Sequence, residues 1–378
     1  MKQHLGIFSL LFAFALIIGC KPPASESTPE TYQLNQAVPK VTKEAVLSNL
    51  ATNVILPAIQ SLTNECHQLA ILAEEFESKP TLPTLFKFRR QWAATAHAWE
   101  QIPKLARHTV LPMGFDFWPI RPLVLEAVVK RGDLTAPEKL TVAGAATSGL
   151  FALEYLIFDQ MLDYKNRRFH FGPPPQAAFL QLIGEQGIRR RLYAKRLAQH
   201  LDLLAGEVEH KWNPDGGNEV GRFANDGQNS LNSMVNRLLE NLERISVERL
   251  YNIALATQDN KFKPEIAPCF TGGVSHLNTR SHLTGAINQY TGKEGPGIDD
   301  YLANFDPALA NEIAIGLTNV MALLEKIDRP IEKAVHDPVL YAVVTNAADL
   351  SRELEITMKT DLASLLGVTI TFDGLDGD

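Results

Sequence analysis

Apolar side chains spaced three and four residues apart run through most of this sequence after about residue 40. One such row consists of Ile55, Ile59, Leu62, Cys66 and Leu69. This spacing places the side chains on one face of an α-helix. The chain contains no pair of alternating apolar stretches joined by Asn-Gly or Asp-Gly, the usual sign of a β-hairpin. The pattern therefore predicts an all-α fold.

The same period continues towards the C-terminus. Asp306 and Asp337 each precede a proline, which is the arrangement of a helix N-cap followed by proline at the first helical position. The predicted helices are one through residues 85–102, a short apolar helix at 150–157, a long one over 179–212 with irregularity near Gly184 and Gly187, and further helices around 231–242, 277–290, 307–327 and 338–366.

A break in the helical pattern follows Trp212. Pro214, Gly216 and Gly217 lie in the next five residues, and proline with paired glycines is typical of a boundary. The length of 378 residues also favours two domains over one. We therefore predict two consecutive helical bundles of about four main helices each, over residues 41–212 and 213–378.

The N-terminus has the form of a lipoprotein signal peptide over residues 1–19. Lys2 precedes an almost unbroken apolar run, 5–18, which is shorter than the roughly 20 residues of a membrane-spanning helix. The run ends in Ile-Ile-Gly-Cys, which resembles a lipobox, so we expect a lipid on Cys20. The alternative is an ordinary signal peptide followed by a chance cysteine.

Residues 20–40 are rich in Pro, Ser, Thr, Glu and Gln and are predicted to form a flexible tether between the lipid and the body. Lys21 follows Cys20 in place of the aspartate that commonly retains lipoproteins in the inner membrane. This favours anchoring to the cell envelope at the periplasmic face of the outer membrane.

The composition limits the possible partners and chemistry. A net charge of −7 without a basic stretch gives no support to nucleic-acid binding. Cys66 and Cys269 could pair in an oxidising compartment, but they form no CxxC pattern. No HExxH is present, and His276 and His282 are six residues apart, a poor spacing for one helical face. Gly272-Gly273 fits no phosphate-binding loop and is interpreted as part of an ordinary loop.

Several stretches, in order along the body, are together similar to the imelysin family of bacterial envelope proteins. The stretches are FRRQWAATAHAWEQ at 88–101, FWPIR at 117–121, GLFALEYLIF at 149–158, GPGIDDYL at 295–302 and the C-terminal residues 366–378. The resemblance implies two helical bundles side by side. It also implies a link to iron uptake, because family relatives are linked to iron-responsive uptake systems.

The family carries the motif GxHxxE in the third of these stretches. Gly149 and Glu154 match it here, whereas Phe151 stands in place of the histidine. The resemblance therefore leaves Glu154 as the only motif candidate for a metal ligand. Whether the chain takes no cofactor, a divalent metal or iron stays open.

Glu154 lies in a strongly apolar helix, where a carboxylate is costly unless it is paired or hydrogen-bonded. One interpretation is a structural salt bridge to an arginine such as Arg121; the other is a polar group in a pocket between the bundles. We predict that Glu154 contacts an arginine or a backbone amide, with Trp118 and Tyr155 as the apolar wall. The predicted pocket residues are Glu154, Trp118, Arg121, Tyr155 and Gly149.

Three functions agree with the sequence. The favoured one is a non-catalytic binding protein with an interdomain pocket, whose ligand is related to iron or metal acquisition. The second is the metallopeptidase for which the family was named, which needs a metal-bound water and a base. The third is a structural or interaction protein that presents its surface to an envelope partner.

Overall fold

A computed structural model of the chain describes residues 40–103, 115–137, 139, 144–158, 162–163, 168–169, 182–258 and 267–371. The predicted signal peptide, Cys20, almost all of the tether and the last seven residues lie outside the described residues. The body from Lys40 onward forms one compact unit. The predicted division after residue 212 stays a prediction.

The described body is almost entirely helical, which confirms the predicted all-α fold. An antiparallel pair of two-residue strands, β1 (Leu162–Asp163) and β2 (Arg168–Phe169), is the exception among the described residues. The α-helices are α1 (Lys43–Asn49), α2 (Leu56–Ser78), α3 (Leu82–Gln101), α4 (Pro122–Arg131), α5 (Gly149–Phe158), α6 (Ile188–Trp212), α7 (Glu219–Asn225), α8 (Gln228–Glu243), α9 (Asn252–Gln258), α10 (Ser275–Thr291), α11 (Ile298–Ala303), α12 (Pro307–Glu325), α13 (Ile331–Ala334), α14 (Pro338–Thr357) and α15 (Ala363–Leu366).

Three π-helical turns join neighbouring α-helices, and the last of them interrupts the helix predicted over 338–366. They are Leu50–Ile55 between α1 and α2, Arg244–Tyr251 between α8 and α9, and Met358–Leu362 between α14 and α15. The helix predicted over 179–212 has the irregularity expected near Gly184 and Gly187: residues 182 and 183 are helical, a 3₁₀ turn follows at Glu185–Gly187, and α6 begins at Ile188. Gly184 before that turn and Gly187 at its end do not favour a continuous α-helix.

Side-chain caps fix several helix starts where the sequence predicted them. The Asp306 carboxylate accepts hydrogen bonds from the backbone N–H groups of residues 308 and 309. Asp337 does the same for residues 339 and 340. These bonds satisfy N–H groups that have no partner within the helix.

The core follows the predicted apolar rows. Ile59, Leu62, Cys66 and Leu69 on α2 are fully buried. Their helix packs against α3 and α6, and α3 in turn packs against α10. Burial of each large aliphatic side chain contributes about 1.5–3 kcal/mol relative to exposure.

Small residues set the closest helix contacts. A Cβ added at Gly285 of α10 would lie 2.9 Å from the Gln101 carbonyl oxygen at the end of α3. A Cβ added at Gly316 of α12 would lie 2.3 Å from a methyl group of Leu354 on α14. Glycine therefore allows both pairs of helices to approach closely.

Two stretches of described helix, Lys43–Ser78 and Pro307–Glu325, are long and apolar enough to cross a membrane by length and composition alone. Half of the apolar window of the first and 39% of that of the second are buried inside the protein. Core helices commonly have this composition, so this finding is weak evidence for a membrane span.

Candidate functional site

Helix α5 carries the predicted motif and begins with a special backbone conformation. Gly149 has φ +84°, a region that glycine adopts without steric cost. The Leu150 N–H then donates to the Phe115 carbonyl oxygen at 2.7 Å. All residues from Gly149 to Ile157 are buried. The helix therefore places its only ionisable carboxylate, that of Glu154, in the interior.

Glu154 is 1% exposed and is held by a distant part of the chain. Its Oε1 atom accepts hydrogen bonds from Thr271 Oγ1 at 2.6 Å and from the Gly272 backbone N–H at 2.7 Å. Burial raises the pKa of Glu154 to about 7, although these hydrogen bonds oppose the shift. The nearby Glu332 carboxylate raises the pKa further.

Glu332 is a second buried acid beside the first. Its Oε2 atom accepts a hydrogen bond from Ser275 Oγ at 2.5 Å, and the same hydroxyl accepts from the Ile331 N–H at 3.0 Å. Burial raises the pKa of Glu332 to about 7 despite the bond from Ser275. The site therefore holds two acids, Glu154 and Glu332, that each titrate near neutral pH.

Trp92 forms one side of this site. Its indole N–H donates to the Leu150 carbonyl oxygen at 2.9 Å. A Cβ added at Gly272 would lie 2.5 Å from Trp92 Cζ3 and 3.4 Å from Glu154 Oε1. Trp92 is fully buried, and its ring limits how closely the Gly272 backbone approaches Glu154.

Trp118 and Tyr155, which were predicted to form the apolar wall beside Glu154, have different surroundings. Trp118 is half-buried and makes edge-on ring contacts with Phe151 at 5.1 Å and Phe270 at 6.3 Å between centroids. Phe270 directly precedes Thr271, so Trp118 lies near the Glu154 partners. The Tyr155 hydroxyl, in contrast, donates to Glu126 at 2.9 Å.

Arg121 is exposed and occupies the N-cap position of α4, where its backbone N–H donates to the Ala146 carbonyl oxygen at 3.2 Å. Of the two partner types predicted for Glu154, the structure shows the backbone amide, supplied by Gly272, and adds the Thr271 hydroxyl. That Glu154, Trp118, Arg121, Tyr155 and Gly149 line a ligand pocket stays a prediction.

A second charged cluster lies at the end of α3. Glu100 is 3% exposed and accepts hydrogen bonds from Arg249 Nη2 at 2.7 Å and His282 Nδ1 at 2.9 Å. The charge of Glu100 raises the pKa of Arg249 and offsets its burial. Sequence reasoning missed this cluster because Arg249 and His282 lie 149 and 182 residues after Glu100 and share no motif with it.

The thiol of Cys269 belongs to the same interior region. It accepts a hydrogen bond from Asn278 Nδ2 at 2.8 Å. Burial raises the pKa of Cys269, and the charges of Glu154 and Glu100 raise it further. Cys66 and Cys269 are both buried free thiols, so the structure contains no disulfide between them.

The donors among the described residues do not fit a metal ion bound by protein ligands alone. Within the described ranges, no three His, Cys, Asp or Glu side chains come together as ligands for one ion. Phe151 occupies the position from which the family's histidine would join Glu154. The described residues instead form a hydrogen-bonded acid site.

The fold and this site define an all-α protein in which a buried acid on α5 is held by a turn more than a hundred residues further along the chain. The family model described as Imelysin, peptidase M75, matches residues 55–358. The chain therefore belongs to the imelysin family. No curated protein matches it.

Two solved structures share the fold. An imelysin-like protein from Psychrobacter arcticum 273-4 has 17% identity and a TM-score of 0.66, covering 89% of this chain and 100% of its own. An iron-regulated protein A precursor from Parabacteroides distasonis ATCC 8503 has 15% identity and a TM-score of 0.68, covering 85% of this chain and 96% of its own. At these identities the likeness shows the fold alone.

Proposed function

We propose that this protein is a lipid-anchored, non-catalytic binding protein of the cell envelope, held at the periplasmic face of the outer membrane, whose ligand takes part in iron or metal acquisition. The observation that carries the binding proposal is the Glu154 carboxyl, buried and oriented by Thr271 and Gly272. Family membership and the structural neighbour described as iron-regulated support the link to iron.

The two acids suggest how a ligand would be recognised. Glu154 and Glu332 both have a pKa of about 7, so each is partly protonated at neutral pH. A cationic ligand would stabilise their ionised forms and release protons. Because the described residues lack a three-ligand set, we propose that a metal arrives as a complex with its own ligands.

Hydrolysis by a metallopeptidase mechanism is the less favoured alternative on chemical grounds. A metallopeptidase needs two or three protein ligands and a base that activates the bound water. The motif here keeps Glu154 but has Phe151 at the histidine position. Chelator-sensitive cleavage of a denatured protein substrate, lost in Glu154→Gln, would show that the non-catalytic proposal is wrong.

Calorimetric titration tests the ligand. The purified protein would be titrated with ferrous, ferric, cupric and zinc ions, each free and as its citrate complex, in two buffers of different ionisation enthalpy. We expect binding of a complex with proton release, weakened about tenfold or more in Glu154→Gln. Absence of binding by every form at micromolar concentration would refute the metal proposal.

Phe151→His is the matched gain-of-function variant. Phe151 is 5% exposed and precedes Glu154 by three residues, so a histidine there would share the helix face of the carboxylate. We expect this variant to bind free zinc more tightly than the natural protein. Equal affinity would show that Glu154 is not placed to ligate a metal even with its family partner restored.

The anchor has its own test. In Cys20→Ala, labelled fatty acid should fail to incorporate and the precursor should stay uncleaved by lipoprotein signal peptidase. A mutant that still takes up label and fractionates with membranes would refute the anchor while leaving the binding proposal intact.

A further inference from the structure

Helix α4 is apolar on its outer side as well as on its inner side. Leu125 and Val129 face the interior and are 0% and 8% exposed. Leu123 and Val124, in contrast, are 88% and 42% exposed, and Leu123 is the most exposed large apolar side chain of the described residues. A surface helix normally has polar residues on its outer side, so this apolar outer side indicates a contact surface.

Two basic residues continue the same face towards the end of the helix. The exposed residues of α4 are Leu123, Val124, Ala127, Lys130 and Arg131. With 3.6 residues per turn, all five fall within an arc of about 120° around the helix axis. We call this arc the outer face of α4. Its first half is apolar and its C-terminal end is cationic.

The charge at this face is opposite to that of the chain as a whole, which has a net charge of −7. Arg121, the N-cap residue, adds an exposed cation at the start of the helix. The only acid of α4 is Glu126, and its carboxylate is bound by Arg190. Asp133 lies beyond the helix, where it accepts hydrogen bonds from Thr135. Cations therefore stand at both ends of the outer face, and the face itself has no acid.

We propose that the outer face of α4 binds the surface of a lipid bilayer that carries anionic headgroups. Leu123 and Val124 would enter the boundary between headgroups and acyl chains, as the apolar side of an interfacial helix does. The long stems of Lys130 and Arg131 would let their charged groups reach the lipid phosphates. A second copy of the chain fits this face less well. Cations at both ends would meet like charges whichever way the two helices ran.

This contact would act together with the proposed lipid anchor, although the argument for it rests on α4 alone. The predicted tether over residues 20–40 would span roughly 25 Å as a flexible chain. A body held that close to a bilayer meets it at a high effective concentration, so even a weak contact would be occupied. The anchor would set the distance of the body from the bilayer, and α4 would set its orientation.

Co-sedimentation with vesicles tests this inference. The protein is the full mature chain, residues 20–378, with Cys20→Ala, so that no lipid on the protein contributes. The vesicles are phosphatidylcholine alone or an equal mixture of phosphatidylethanolamine and phosphatidylglycerol, at millimolar lipid. We expect severalfold more protein to bind the anionic vesicles, and this excess to disappear when the salt is raised from about 0.05 M to about 0.5 M. Equal binding to both vesicles, or binding to neither, would overturn the proposal.

Two variants locate the contact. Leu123→Asp should lower the bound fraction about fivefold or more, and the double variant Lys130→Glu with Arg131→Glu should remove the preference for anionic vesicles. Val339→Asp is the matched control, because Val339 is 74% exposed at the start of α14 and gains the same charge. Unchanged binding by Leu123→Asp, or an equal loss in Val339→Asp, would overturn the proposal. Thermal unfolding checks that each variant folds, and a misfolded Leu123→Asp leaves the double variant as the deciding one.

Sedimentation velocity of the same protein without vesicles examines the other possible occupant. We expect a monomer. A dimer that dissociates in Leu123→Asp would show that a second copy covers the outer face and would overturn the bilayer assignment. The vesicle test is independent of the anchor, because the protein used has no Cys20; a precursor that takes up no fatty acid would refute the anchor and leave the α4 contact standing.

Discussion

The buried acid on α5 makes the stability of the protein depend on pH in a predictable direction. The pKa of Glu154 is raised from 4.5 in the unfolded chain to about 7 in the folded protein. Between these values the folded state binds more protons than the unfolded state, so the free energy of unfolding falls as pH rises. The contribution of Glu154 to stability is therefore greater at pH 5 than at pH 8.

The magnitude follows from the size of the pKa shift. Each unit corresponds to about 1.4 kcal/mol, so ionisation of Glu154 in the folded state costs about 3 kcal/mol once the pH exceeds 7. The hydrogen bonds from Thr271 Oγ1 and the Gly272 N–H both end on Oε1, an atom whose counterpart glutamine retains. Glu154→Gln should therefore keep both bonds while removing the titration.

The assay is the free energy of unfolding from urea titrations at pH 5, 6, 7 and 8. The difference between the natural protein and Glu154→Gln should change by about 3 kcal/mol across this range, in favour of the glutamine variant at high pH. Glu74→Gln is the control, because the Glu74 side chain is 64% exposed. If Glu154→Gln and the natural protein lose stability in parallel as pH rises, the raised pKa is wrong.

Glu154→Ala separates the hydrogen bonds from the charge. Alanine leaves the Thr271 hydroxyl and the Gly272 N–H without their acceptor, at about 1–3 kcal/mol for each buried unsatisfied group. This variant should be less stable than Glu154→Gln at every pH. Equal stability of the two variants at pH 5 would show that the two hydrogen bonds contribute nothing.

Three further predictions concern the interior. Gly272→Ala should lower the free energy of unfolding by about 1–3 kcal/mol, because the new methyl group would overlap the Trp92 ring; unchanged urea midpoints would contradict the close approach. Glu100→Gln should cost about 3–5 kcal/mol in the same assay by leaving the buried Arg249 guanidinium without its counter-charge, and a loss below 1 kcal/mol would argue against the cluster. Cys66 and Cys269 should react with a thiol reagent only on unfolding, since burial raises the pKa of both thiols; prompt reaction of the native protein would refute their burial.

Helix positions were predictable because they depend on local period and local caps. The α2 row is buried as its spacing indicates, and Asp306 and Asp337 cap the helices that their Asp-Pro pairs predicted. The π-helical turns were not predictable. A π turn holds one more residue than an α turn, but it is built from the same residue types, so the sequence does not mark it.

The site was predictable only in part. The motif identified Glu154 and its need for a hydrogen-bond partner, and the structure supplies a backbone amide. The particular partners could not be read from sequence, since Gly272-Gly273 has the composition of an ordinary turn. Glu332 and Ser275 likewise carry no local signal, because their pairing depends on how α10 and α13 pack.

The hydrogen bonds of Glu154 span 117 and 118 residues of chain, which has a consequence for the order of assembly. Until the intervening chain has folded back, α5 lacks the turn that offsets the cost of burying its acid. Closing so long a loop is slow. Until the loop closes, α5 must keep a conformation in which the Glu154 carboxyl is hydrated. A chain truncated before Thr271 therefore cannot complete the packing around α5.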